Sequence, residues 1–145
     1  MTKTTRDDVV AKLNGDKNLS GWDLSRLDLS GLNMAGADLR EAKLMDANLH
    51  GVNLQEAMLY DANLRGADLS KTSLLFTDLR DTDMRNVDLS DAVLIGADLR
   101  WADLCWAKME NAQMQEVNFD EVTRLPDGSQ WSAGVDLTVF GCIVD

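Results

Sequence analysis

The apolar positions of this chain recur at every fifth residue. The series starts at Leu19, Leu24, Leu29 and Met34 and runs without a break to Met109, Met114 and Phe119; all 21 positions are apolar. Two residues before each centre lies a second series, Ala37, Ala42, Ala47, Val52, Ala57 and onward to Ala112 and Val117, whose members are small or β-branched. Between the two, Asp or Asn holds 14 of the 20 positions from Asp23 to Asn118. An α-helix advances about 100° per residue, so steps of five would scatter the leucines around its circumference. A straight strand changes face at each residue, so steps of five would alternate them between its two sides. The pattern fits a chain that bends once per repeat, with the centre and the small residue inside and the other three outside. Repeated bends of one hand close into coils, and coils stacked by backbone hydrogen bonds form a β-solenoid. The period alone leaves three or four sides open.

The run AGADLREAKLMDANLHGVNLQEAMLYDANLRGADLS resembles the pentapeptide-repeat proteins, whose unit reads Ala-Asp/Asn-Leu-X-X, and the resemblance covers residues 19 to about 121. It implies an all-β fold, a right-handed quadrilateral β-helix with four repeats per coil. About five coils would stand about 25 Å tall. Leu39, Leu59, Leu69, Leu79 and Leu99 then belong to the filled interior, and Phe119 plugs its far end. In the first coil Trp22, Leu27 and Leu32 replace alanine and are expected to fill the open near end. Thr72, Thr77 and Thr82 replace it in the fourth, where a different turn is expected.

The ends of a solenoid expose unpaired strand edges and need covers. Residues 1–18 are assigned to an N-terminal cap, 19–121 to the solenoid, and 122–145 to a C-terminal cap or dimerisation tail. The cap helix is expected over residues 5–14, with Thr5 as N-cap, Asp7 and Asp8 in the first turn, Val9, Val10 and Leu13 as its apolar stripe, and Gly15 as its stop. In the tail, Leu125-Pro126-Asp127-Gly128 reads as a turn and Val135–Val139 as strand-like.

Charge modifies this picture. Of 145 residues 27% are charged and 45% hydrophobic, a globular balance, and no apolar run reaches the ~20 residues of a membrane span. Residues 1–10 lack an apolar signal core, so a cytoplasmic protein is expected. The net charge of −11 argues against direct nucleic-acid binding. Much of the acidity has a structural reading, because an Asp or Asn before each centre can accept nearby backbone N–H groups and steady the turn. If residues 20 apart stack, the side of Leu39 carries a net −5, that of Leu44 zero, that of Leu49 −3 and that of Met34 −2. On the first of these an outward column of Arg40, Tyr60, Arg80 and Arg100 follows Asp38, Asp78 and Asp98, so a ladder of ion pairs is expected.

Motifs for chemistry are absent. There is no phosphate-binding glycine loop, no metal-binding His pair and no C-x-x-C, so no catalytic residue, metal ligand or cofactor is assigned. His50 is read as a solvated outward residue, and Cys105 as an outward thiol. The outward residues that break the polar rule are Leu75, Phe76, Val93, Ile95, Trp101 and Trp106, with Phe76 below Gly96 in the stack. They are a candidate interaction patch over two or three faces, since tryptophan is enriched at interfaces. Self-association, or a tail folded back over the patch, is the simpler expectation. The chain is therefore expected to be a non-enzymatic interaction or scaffold module, with an unknown protein partner and a possible homodimer. The resemblance also implies an alternative, a DNA mimic that binds and protects DNA gyrase or topoisomerase, as in the quinolone-resistance branch. The absence of any insertion between residues 19 and 121 counts against it.

Overall fold

A backbone that hides one large side chain in every five residues must turn just after each of them. In the computed structural model, which describes residues 2–145, it does so by one recurring hydrogen bond. The N–H of the small inward residue donates to the carbonyl of the preceding centre, as from Ala37 to Met34 (3.0 Å) and from Ala67 to Leu64 (2.9 Å). The residue two after each centre has a left-handed backbone, with φ between 53° and 71° at every such position from Gly21 to Glu116. Positive φ at the third residue of a four-residue turn is the type II signature.

Between turns the chain is extended for only a residue or two, enough for one parallel bridge to the level above. These bridges join residues 20 apart, through Asn18, Asp38, Met58, Asp78, Asp98 and Asn118 on one side and likewise on the others. Twenty residues at five per segment make four sides. Leu39 N–H donates to Met58 O (2.7 Å), while Met58 N–H donates back to Ala37 O (3.0 Å). Inside, the centres stack into one column, and Leu39, Leu59, Leu69, Leu79 and Leu99 are completely buried. The aspartates and asparagines before the centres act as the turn chemistry requires: Asp38 Oδ1 accepts from Arg40 N–H (3.2 Å), Asn48 Oδ1 from His50 N–H (3.0 Å) and Asp68 Oδ1 from Ser70 N–H (2.9 Å).

The threonine stretch keeps the turn of its neighbours at Thr72 and Thr77 and departs from it at Thr82, whose hydroxyl instead of its N–H meets the carbonyl of the preceding centre. Lys71, Phe76 and Asp81 keep the left-handed φ of their neighbours. The buried hydroxyls find carbonyls, Thr72 donating to Leu49 O (2.9 Å), Thr77 to Leu54 O (2.8 Å) and Thr82 to Leu79 O (2.7 Å). A satisfied hydroxyl lets threonine occupy the alanine slot with the left-handed corner kept.

At the near end, helix α1 spans Arg6–Leu13. Thr5 caps it through a reciprocal pair with Asp8: Asp8 N–H donates to Thr5 Oγ1 (3.3 Å) and Thr5 N–H to Asp8 Oδ2 (2.8 Å). Val9 is fully buried against the core, whereas Val10 and Leu13 are half-buried. The helix stops at Asn14 instead of Gly15, and the left-handed residue after it is Lys17. Arg6 fastens the helix to the solenoid, donating to Asp28 O (2.8 Å) and Ser30 O (3.0 Å). Trp22, Leu27 and Leu32 pack there, half-buried.

At the far end the repeat register continues beyond Glu121, displaced by one residue. Asp103 pairs with Arg124, a spacing of 21 where 20 holds elsewhere, and Leu125 is fully buried. The extra residue is absorbed between Asp120 and Thr123, and Thr123 takes the small inward slot, its hydroxyl donating to Leu99 O (2.9 Å). The chain then turns at Leu125–Gly128 and runs back antiparallel, with Gln130 paired to Arg124. This brings Trp131 over Phe119, ring centroids 5.6 Å apart and nearly parallel. Phe119 is therefore only partly buried and shares the cover of the column with Trp131. Val135–Val139 is not strand-like: Leu137–Phe140 forms a 3-10 helix capped by Asp136. The final residues regain a parallel rung, Ile143 beside Gln113, which places Cys142 in a buried position.

Candidate functional site

The six outward apolar residues spread over adjoining sides and corners of the solenoid. Leu75, Val93 and Ile95 lie half-buried on the flat side centred on Leu74 and Leu94. Phe76 stands on the corner beside them. Its ring lies across Gly96, where a Cβ would come within 2.5 Å of the ring, so the glycine is what admits it. Trp101 and Trp106 sit on two further corners, at either end of the segment centred on Leu104. The tail does not cover these aromatic residues: Phe76 is 58% exposed, Trp101 46% and Trp106 70%. It meets the Trp106 backbone, Trp106 N–H donating to Pro126 O (2.8 Å).

All three aromatic residues occupy the left-handed slot of the turn, with φ of 53° at Phe76, 61° at Trp101 and 60° at Trp106. Elsewhere this slot holds mainly glycine, Asp or Asn, and other polar residues. For an L-residue the conformation costs about 1–2 kcal/mol, and a bulky ring there is uncommon. Spacing reveals this slot only once the turn type is known, so the sequence reading located the aromatics without seeing that they stand on strained backbone.

The expected ion-pair ladder is present. Arg40, Arg80 and Arg100 each engage the aspartate two residues earlier through two nitrogens, with Nη2–Oδ2 distances of 2.7, 2.8 and 2.6 Å. Arg80 also reaches toward Asp98 on the next level (3.9 Å) and lies 5.5 Å from the centre of the Tyr60 ring. Arg85 and Asp83 repeat the motif on the neighbouring side (2.6 Å), a pair the sequence reading passed over. The arginine hydrogen bonds hold the Asp38, Asp78 and Asp83 carboxyls below the usual carboxylate range. The acid-rich side keeps its net −5, but the arginines interleaved with its aspartates make it a surface of mixed sign and no uniform anionic strip.

Two expectations about reactive groups resolve differently. His50 bonds its stacked neighbour, Nδ1 to Ser70 Oγ at 2.8 Å. Cys105 does not face solvent. It is buried, and burial, with Asp103 nearby, raises its thiol pKa; a buried thiol in such surroundings is a poor nucleophile. Among the described residues no cluster of His, Cys, Asp and Glu is placed to hold a metal ion.

A shallow groove of about 490 Å³ opens at the far end, lined by Trp101, Asp120, Glu121, Val122, Trp131, Ser132 and Ala133. Asp120 is fixed by the turn that absorbs the extra residue. Its Oδ1 accepts from the N–H groups of Trp101 (3.1 Å), Val122 (3.1 Å) and Thr123 (2.9 Å). Burial raises this carboxyl's pKa, but those donors outweigh it and hold it lowered.

A column of leucines at a period of five, type II turns and a 20-residue register together define a four-sided repeat solenoid. The sequence model of the pentapeptide repeats family matches in 8 copies, over residues 23–57, 47–86 and 82–120, and the chain belongs to that family. Among solved structures it is similar to a pentapeptide repeat protein from the Arabidopsis thaliana thylakoid lumen, at 27% identity over 83% of this chain and 88% of that one, with a TM-score of 0.69. A pentapeptide repeat protein from Nostoc matches at 23% identity over 100% of this chain and 99% of that one, TM-score 0.43. QnrB1, a plasmid-mediated fluoroquinolone resistance protein, matches at 18% identity over 88% of this chain and 79% of that one. Its TM-score of 0.39 marks it as too distant to carry an argument about function. Among curated proteins, none matches this chain by sequence.

Proposed function

We propose that the chain is a non-enzymatic interaction module: a right-handed solenoid of about five coils that displays aromatic side chains to a protein partner or to a second copy of itself. One observation carries this reading. Phe76, Trp101 and Trp106 stand exposed in a backbone conformation that disfavours them. Local stability would place glycine or asparagine at these corners, so the rings have a use outside the fold. The interior supports the same view, since its column is filled with leucine and leaves no cleft in which acid–base groups could be desolvated.

The test compares the wild type with the Trp101→Ala, Trp106→Ala double variant in sedimentation and in co-purification. Loss of self-association or of a co-purifying protein is expected. Unchanged behaviour removes the two tryptophans from the interaction. Solution mass with and without a truncation at Val122 separates a covering tail from a subunit interface.

The rival reading, a mimic of DNA that binds gyrase or topoisomerase, draws on the net charge of −11. The arginine–aspartate pairs weaken it, because they interleave positive charge on the most acidic side and leave no continuous anionic strip there. A supercoiling assay with gyrase and a quinolone, showing neither inhibition nor protection, would end it.

A further inference from the structure

The groove at the far end has walls of one kind and charge of one sign. Trp101 and Trp131 line it with Val122, and its only ionisable lining groups are Asp120 and Glu121. Glu121 makes no ion pair among the described residues. In Asp120 three backbone N–H donors converge on Oδ1, and Oδ2 takes no hydrogen bond among the described residues. The result is an ionised carboxylate, rigidly held, with one oxygen unused beside two indoles. The nearby cation, Arg100, lies 5.9 Å from the Trp101 ring centre but is committed to Asp98 by a two-nitrogen contact.

Resting on the reading that the exposed aromatics serve a protein partner, we infer that this groove binds an arginine side chain of that partner. A planar cation fits these walls because guanidinium stacks on indole faces and pairs with carboxylates through two parallel N–H groups. Lysine offers a compact, strongly hydrated charge and matches neither feature as well. The net charge of −11 favours approach by a basic segment. The slot on which Trp101 stands is the strained left-handed one, so the ring is held at the groove mouth at a cost to the fold.

The test uses N-acetyl-arginine methylamide as probe, with the citrulline and lysine analogues as the uncharged and compact-charge arms. The readout is the indole N–H resonances of the four tryptophans. Saturable shifts at Trp101 and Trp131 are expected, with Trp22, at the opposite end, unmoved. Arginine should bind at least about ten-fold tighter than citrulline, the factor expected for one charge-assisted contact. Trp101→Asn, which puts into the slot a residue it already holds at Asn86 and Asn111, should weaken binding by about the same factor without unfolding the chain. Glu121→Gln should weaken it less. No saturable shift up to about 50 mM probe, equal binding of citrulline or lysine, or an unaffected Trp101→Asn variant each overturns the inference. Should the tryptophan-dependent association persist while arginine fails to bind, only the chemistry assigned to the groove falls.

Discussion

Gly36 and Gly96 occupy the same corner of the solenoid, three levels apart, and share a left-handed backbone with φ of 69° and 70°. Replacing either by alanine adds the same Cβ to the same conformation. At Gly36 that atom meets nothing within 4 Å; at Gly96 it meets Phe76 Cδ1 and Cε1 at 2.5 Å. The shared backbone cost is about 1–2 kcal/mol. A stiffer unfolded chain returns roughly 0.4–1 kcal/mol, leaving about 1 kcal/mol for Gly36→Ala. Overpacking adds about 1–3 kcal/mol, and because the exposed Phe76 ring can swing outward the lower end applies, giving about 2 kcal/mol for Gly96→Ala. For a chain of this size each kcal/mol moves the melting temperature by about 3 °C, so drops of about 3 and about 6 °C are expected. In a Phe76→Asn background the excess at Gly96 should vanish, a coupling of about 1 kcal/mol that a double-mutant cycle followed by circular dichroism resolves. Equal melting temperatures for the two alanine variants, or an excess that survives Phe76→Asn, would refute the account of the ring seated on the glycine.

Three further expectations follow from the interior and the turns. Leu69→Lys puts an unpaired charge into a completely buried position and should abolish cooperative folding; a melt near the wild-type temperature contradicts the filled column. Side-chain hydrogen bonds from Ser25, Ser30, Arg40, Arg80 and Arg85 lower the pKa values of Asp23, Asp28, Asp38, Asp78 and Asp83 in the folded chain. The unfolded chain then binds protons first. This stability is complete above the unfolded value of about 4 and is lost as pH falls through the lower folded values, so the melting temperature should be flat from about pH 8 to 5 and decline below about pH 4. A melting temperature that holds steady down to pH 2 contradicts it. Burial pushes the Cys142 thiol up to about 11 and raises that of Cys105. A disulfide reagent at pH 8 should therefore label neither thiol in the native protein and both in denaturant, and rapid native labelling counts against their burial.

The readings that failed share a cause. Cys105 has the spacing of an outward residue, but its small side chain is buried beside Asp103 and Arg124, the latter supplied by the displaced register beyond Glu121. Glu121 looked like the last repeat residue because strict counting by five fails at Asp120; the pair Thr123 and Leu125 repeats the Ala-x-Leu spacing one residue late and could have signalled the continuation. Val135–Val139 carries β-branched residues, but Asp136 caps Thr138 N–H (2.9 Å) and starts a 3-10 turn instead. The candidate patch was legible as a set of residues spread over two or three sides; the left-handed slot that its aromatic members share was not, since the period does not give the turn type.

The sequence by itself determined the interior. A period of five, apolar at 21 registers, is incompatible with helix or straight strand and commits every leucine to one inward column. It also determined the chemistry of the turns, because Asp and Asn act on N–H groups only two residues away. Tertiary structure alone decided what closes the ends and what faces outward together. The return of residues 129–131 over Phe119, the rung made by Ile143 and the groove between Trp101 and Trp131 all join residues without a repeating spacing. Local periodicity constrains contacts that recur with the repeat. Contacts made once, by a chain that has left the register, depend on where the finished column puts its last open edges.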